Sequence, residues 1–198
     1  DGQNVAIEYR WAEGQNDRLP AMAGTPRLWQ GEALAGKSLL LLAEQGIGDT
    51  LQFIRYVRPL ADQGARVDLY VRQAHVAGLL RNVDGLSEVY TGEAVIPASD
   101  YYCHLLSLPR LCGTRSLGAV PADVPYLAVP PDRRAYWRQR LDAIPARLRV
   151  GLAWAGSPTY FDDRNRSCSL HALAGLFDLP DVVWINLQLG AGREELRA

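Results

Sequence analysis

Continuous apolar runs alternate along this chain with stretches where apolar residues return every third or fourth position. "SLLLLA" (38–43) is of the first kind, the pattern of a strand buried on both faces of a sheet. From Asp49 to Gln63 the apolar positions are Leu51, Ile54, Val57 and Leu60 or Ala61, which is helical spacing, and Gly64 stands where a helix stops. "RVDLYV" (66–71) predicts a second strand, "QAHVAGLLRNV" (73–83) a second helix, "SEVYT" (87–91) a third strand and "YYCHLLS" (101–107) a fourth. "VPYLAVPPD" (124–132) predicts a further short strand and a proline turn, followed by a helix through "RRAYWRQRLDAI". Strands alternating with helices at this interval predict an α/β fold with a Rossmann-like parallel sheet.

The design then starts again. "LRVGLAWAGSP" (148–158) repeats the strand and glycine turn of residues 38–48 about 110 residues later. A helix at "SLHALAGLF" (169–177) and a strand no longer than 182–189 in "DVVWINLQ" follow, before the charged end "GREELRA". The expected division is an extended lead-in at 1–37, a Rossmann-like domain at 38–146, and the first β-α-β of a second such domain at 147–198. The lead-in is rich in Gly, Pro, Asn and Gln, and its Trp11 and Trp29 are expected to pack on a neighbouring domain. One β-α-β is too little for an independent sheet. Residues 148–189 are therefore expected to pack on the first domain, to complete a sheet with another chain, or to belong to a larger protein. Self-association through this unit is the testable form, because open edges and apolar faces attract partners.

Composition narrows the function classes. The 198 residues carry a formal net charge of −1, against the basic excess of a nucleic-acid binder. No apolar run approaches the ~20 residues of a membrane span, and the first residues show no signal peptide. A start at Asp1 suggests that something upstream has been removed. Cys103, Cys112 and Cys168 have neither zinc nor disulfide spacing and read as reduced, mostly buried thiols, which implies a cytoplasmic location. His75, His104 and His171 share no metal-ligand spacing.

The turn "EQGIGDTLQF" (44–53) carries the first candidate chemistry. It lacks the lysine of a P-loop and the third glycine of a dinucleotide fingerprint, and offers the carboxylate of Asp49 instead. That carboxylate suits a helix N-cap. It also suits a general base, since the carboxyl end of a strand in an α/β sheet faces the crevice where ligands bind. Gly46 and Gly48 would let a ligand approach the backbone. Glu44 and Gln45 are candidate acceptor contacts, and Gln52 reads as solvated. The second candidate is "WAGSPTYFDDRNRS", a polar loop with the hydroxyls of Ser157, Thr159 and Ser167 and the guanidinium groups of Arg164 and Arg166. Arginine beside a helix N-terminus suits a diphosphate. Adjacent Asp162 and Asp163 point apart and read as structural rather than as metal ligands. Ser107 either lines the crevice or caps a helix, and in "YWRQR" Trp137 reads as packing while the arginines read as solvated.

"EQGIGDTLQFIRYV", "LLSLP", "VPYL", "VGLAWAGSP" and "DDRNRSCSL" occur in an order that resembles a bacterial glycosyltransferase-like family commonly fused behind tetratricopeptide repeats. That family is similar to the lipopolysaccharide heptosyltransferases of two-domain GT-B architecture. The resemblance runs from about Trp29 to Gln188. It implies inverting transfer of a sugar from a nucleotide-sugar to a hydroxyl of a sugar, lipid-linked glycan or protein acceptor. It also implies no cofactor and no metal. In the heptosyltransferases a similar Gly-Asp pair supplies the base, which the resemblance carries to Asp49. Their corresponding loop contacts the donor phosphates through hydroxyls and a Lys, where Arg166 stands here. The resemblance further implies that the family's C-terminal half, with the later part of the donor site, lies outside this sequence. A non-catalytic binding or assembly module is the other reading.

Overall fold

The computed structural model describes residues 21–197; Trp11 lies outside them. The chain divides into two compact units, one running to Arg134 and the other starting at Ala135.

The first unit is built on a five-stranded sheet. In chain order its strands are β1 (Arg27–Leu28), β2 (Ser38–Ala43), β3 (Arg66–Val71), β4 (Leu86–Thr91) and β5 (Tyr101–His104). Every pairing is parallel, in the spatial order β1-β5-β2-β3-β4. The expected Rossmann-like α/β fold is thus present, with "SLLLLA" as its central strand. Leu39, Leu40 and Leu41 are fully buried and Leu42 nearly so. Each such side chain contributes about 1.5–3 kcal/mol relative to exposure.

The two faces of the sheet are covered differently. Leu39, Leu41, Val67, Leu69, Val71, Val89 and Cys103 share one core with the helical segments. Those segments are α1 (Ile47–Phe53), a 3₁₀ turn at Ile54–Tyr56, α2 (Val57–Asp62), α3 (Ala77–Leu80) and α4 (Leu108–Leu111). Ile54, Val57 and Leu60, read from their spacing as a buried face, are fully buried. Alternate residues Leu40 and Leu42 point the other way, into a smaller cluster with Ile96, Met22, Tyr70, Tyr90 and Tyr102. Met22 and Ile96 form an isolated bridge there. Trp29 is buried and donates its indole N–H to Glu32 O at 2.9 Å.

Local details depart from the sequence expectation. The helix expected through residues 49–63 is interrupted by the 3₁₀ turn, and that at 73–83 shrinks to a 3₁₀ turn (Ala74–Val76) plus α3. The fourth strand ends at His104, after which Leu105–Ser107 turn as a 3₁₀ helix. The run 124–129 is no strand: proline lacks the N–H that a ladder needs, and four prolines punctuate residues 121–131. Tyr126 and Leu127 instead pack against the main core. The two-residue β1, paired with β5, had no periodic signal. Gly64 does end its helix, at φ +87°, and a Cβ there would lie 3.4 Å from Ala35 Cα.

In the second unit, β6 (Leu148–Leu152) and β7 (Val182–Asn186) pair in parallel. The helix expected at 169–177 is a 3₁₀ helix, Leu170–Leu176, with Ser169 at its N-cap accepting the Ala172 N–H at 3.2 Å. No residue of β6 or β7 is fully buried, and Leu148 is exposed. Helix α5 (Pro131–Asp142) spans the boundary between the units and is exposed through residue 140. Trp137, expected to pack, is 49% exposed, with Arg140 over its ring and that of Tyr136. No helix among the described residues is long and apolar enough to cross a membrane.

Candidate functional site

Strand order reverses beside β2: the chain moves from β2 to β3 and β4 on one side, then returns to place β5 on the other. Such a reversal separates the loops leaving two neighbouring strands, and the gap at their carboxyl ends is where open α/β sheets bind ligands. The turn after β2 is Glu44–Gly48, and the turn after β5 is Leu105–Ser107. The turn at 105–107 packs against both β2 and α1.

Glu44 fastens the two turns together. Its carboxylate accepts the Leu105 N–H at 3.1 Å and the Leu106 N–H at 3.3 Å. Both oxygens are thus engaged inside the fold, so Glu44 is a latch across the switch point, where the sequence suggested an acceptor contact. At the opposite ends of the same two strands, the Asp100 carboxylate accepts the Ser38 N–H at 2.9 Å and the Ser38 hydroxyl at 2.8 Å. Those bonds hold the Asp100 carboxyl below the usual carboxylate range.

Asp49 is not the helix cap. The N-cap of α1 is Gly46, whose extended backbone carries no side-chain cap bond, and Asp49 is the third helical residue. Its Oδ2 leans back over the turn, 3.4 Å from where a Cβ on Gly46 would sit. The carboxylate is half-buried, and no hydrogen bond or ion pair engages it among the described residues. A carboxylate so placed at the carboxyl edge of a central strand can accept a proton. Gln45, Gly46 and Gly48 are exposed beside it, and Gln52 is exposed as expected. Ser107 takes the N-cap position of α4 without a side-chain cap bond. Burial pushes the Cys103 thiol up to about 12, with Glu44 adding to the effect, and the Cys112 thiol up to about 11. Neither is a thiolate near neutrality. Cys168 is exposed, against the expectation of mostly buried cysteines.

The loop after β6 is a second, separately folded cluster. The Gly156 N–H donates to Ser167 Oγ at 2.8 Å, and the Ser167 hydroxyl donates to Asp163 Oδ1 at 2.8 Å. Ser167 is therefore committed inside the loop, not a free phosphate donor. Asp162 accepts from the Asn165 side chain. The Arg166 guanidinium lies 4.9 Å from the Tyr160 ring centroid, exposed and without an ion-pair partner among the described residues. Arg164 is exposed. The Ser157 and Thr159 hydroxyls are exposed and 2.8 Å apart, bonded to each other. Of the five residues proposed for phosphate, two guanidinium groups and two hydroxyls face solvent.

Sequence reasoning missed Gln188, which is 3% exposed. Its side-chain amide ties residues 154–155 to 189–191. A lone glutamine after a strand carries no signal of such a role.

Among known proteins, the chain is similar to Protein FlbA of Caulobacter vibrioides, at 27% identity over 212 aligned positions that cover 94% of this chain. The chain spans about a third of FlbA's length, the match covering 35% of it. No protein-family model matches the chain. No solved structure matches it either.

Proposed function

We propose that this chain belongs to a glycosyltransferase of GT-B type, one that moves a sugar from a nucleotide-sugar donor to an acceptor hydroxyl with inversion. The observation that carries the proposal is Asp49. A half-buried carboxylate, not spent on capping, stands at the carboxyl end of the central strand beside the switch point. In the proposed reaction it takes the proton of the acceptor hydroxyl as that oxygen attacks the anomeric carbon, whose bond to the diphosphate breaks. The leaving nucleoside diphosphate takes two negative charges or more. Within the second unit taken by itself, the Arg166 and Arg164 guanidinium groups and the Ser157 and Thr159 hydroxyls are the charge and donors that suit a diphosphate. The acceptor is a sugar, a lipid-linked glycan or a protein hydroxyl.

The accessible faces of β6 and β7 favour a second reading, a non-catalytic binding or assembly module. Turnover separates the two. A thermal-shift screen with UDP-, ADP- and GDP-sugars identifies a donor, and hydrolysis or transfer of that donor is then measured for wild type and Asp49→Asn. The glycosyltransferase reading expects a loss of roughly 10² or more with the fold retained, since a general base contributes about that much. Unchanged turnover removes Asp49 from the reaction. No stabilisation by any nucleotide-sugar favours the binding module.

A further inference from the structure

The regular ladder between β6 and β7 ends where the Leu187 N–H donates to Leu152 O at 2.9 Å. Beyond it the two strands part into separate loops, and their backbone groups need other partners. Gln188 supplies them. Its Oε1 accepts the Trp154 N–H at 2.9 Å and the Ala155 N–H at 3.0 Å. Its Nε2 lies 2.9 Å from Ala155 O, 2.7 Å from Ala191 O and 3.2 Å from Leu189 O, so that its two hydrogens serve three carbonyls and one of them is shared. The Gln188 N–H donates in turn to the Asn186 side chain at 2.8 Å. Two donors aim at one end of the amide and three carbonyls at the other, so only one orientation of the group fits. The side chain stands in for a stretch of strand, continuing the ladder by two residues with no backbone of its own.

The loop that Gln188 holds is the one that carries the proposed phosphate groups. Trp154 and Ala155 are pinned by Gln188, and the next residue, Gly156, is pinned by Ser167 and through it by Asp163. Cys168 adds a bond from its N–H to Trp154 O at 2.9 Å. Ser157 therefore leaves a backbone fixed at three consecutive residues. Donors held before the ligand arrives bind it without losing loop freedom on binding.

We infer that Gln188 is the positioning residue of the phosphate-binding loop, acting on the ligand only through the 154–157 backbone. The inference rests on the phosphate reading of that loop. Inorganic pyrophosphate is the probe, its affinity measured by calorimetry well below the unfolding transition, for wild type, Gln188→Leu and Gln188→Glu. Wild type binds, and Gln188→Leu weakens binding about tenfold or more, corresponding to roughly 1.4 kcal/mol. Faster amide exchange at Trp154 and Ala155 accompanies the loss. Gln188→Glu keeps the acceptor but lacks a donor when ionised. Its affinity relative to wild type falls as pH rises and recovers as pH falls, because burial raises the carboxyl's pKa and a protonated carboxyl can donate. A role in stability alone lowers the unfolding temperature yet leaves the folded variants binding like wild type, which overturns the inference. Should Gln188→Leu fail to fold, Gln188→Glu decides: a ratio to wild type that does not change with pH overturns the inference. Wild type that fails to bind pyrophosphate overturns the phosphate reading, and the inference with it.

Discussion

Replacing Gly156 with alanine tests whether the loop after β6 is as tightly interlocked as its geometry states. A Cβ at this position would lie 2.5 Å from Asp163 Oδ1 and 3.2 Å from Arg166 Nε. The first contact is roughly 1 Å inside the ~3.5 Å optimum for non-bonded heavy atoms. Gly156 does not have a positive φ, so the substitution adds bulk without imposing a backbone penalty. Asp163 must swing away, and its oxygen is the one that receives the Ser167 hydroxyl, which itself receives the Gly156 N–H. Loss of the Ser167 hydroxyl's bond to the Asp163 carboxyl, worth about 1.5–3 kcal/mol as a hydrogen bond to a carboxylate, gives a cost of about 2 kcal/mol for the second unit. Overpacking costs of 1–3 kcal/mol bracket the same value. Denaturant unfolding by tryptophan fluorescence measures the cost. Amide exchange at residues 154–167 assigns it to the second unit, since two units need not unfold in one transition. Asp163→Ala removes the obstructing oxygen, so a double-mutant cycle should show the Gly156→Ala penalty falling by at least half in that background. The reasoning fails if the full penalty persists without Asp163, or if Gly156→Ala costs nothing in the wild-type background.

Arg166→Ala should weaken nucleoside-diphosphate binding by about 1.5–3 kcal/mol, the value of a charged hydrogen bond, while Arg138→Ala, on the exposed surface of α5, should cost little; equal affinities by calorimetry refute the assignment. Asp68 is buried in β3, where burial and Glu88 hold its carboxyl above the ordinary value against the opposing pull of Arg66. A raised folded-state value contributes stability that is fully present below the unfolded value of about 3.9 and is lost as pH rises through the folded one. Asp68→Asn, neutral throughout, should therefore gain stability relative to wild type as pH rises above about 4 and through the folded value; a pH-independent difference in denaturant midpoint contradicts this. The accessible apolar side chains Leu148, Phe177, Leu187 and Leu189 of the second unit should drive self-association visible by sedimentation, and a monomer at all concentrations refutes that expectation.

The sequence by itself determined the parts of this protein that depend on local periodicity. "SLLLLA" announces a strand buried on both faces because four consecutive leucines leave it no solvent face, and it is the centre of the sheet. Ile54, Val57 and Leu60 announce a buried helical face by spacing alone, although the 3₁₀ turn between α1 and α2 does not show in that spacing. The glycine turns and the Asp49 carboxylate were legible too, because few residue types permit such a turn. Tertiary structure decided what depends on partners far away in the chain. Glu44 reads as a candidate acceptor contact until β5 places the Leu105 and Leu106 amides against it, 61 and 62 residues later. Gln188 is an ordinary polar residue until the parallel pairing of β6 and β7 brings it to Trp154, 34 residues earlier. Ser167 is a loop hydroxyl until Gly156 and Asp163 close on it. A side-chain hydrogen bond takes its partner from whatever backbone the fold delivers, and a polar residue type specifies its capacity to bond without specifying with whom. Periodicity therefore finds the layers, whereas the latches that hold the candidate loops of each unit are decided only when the layers within that unit meet.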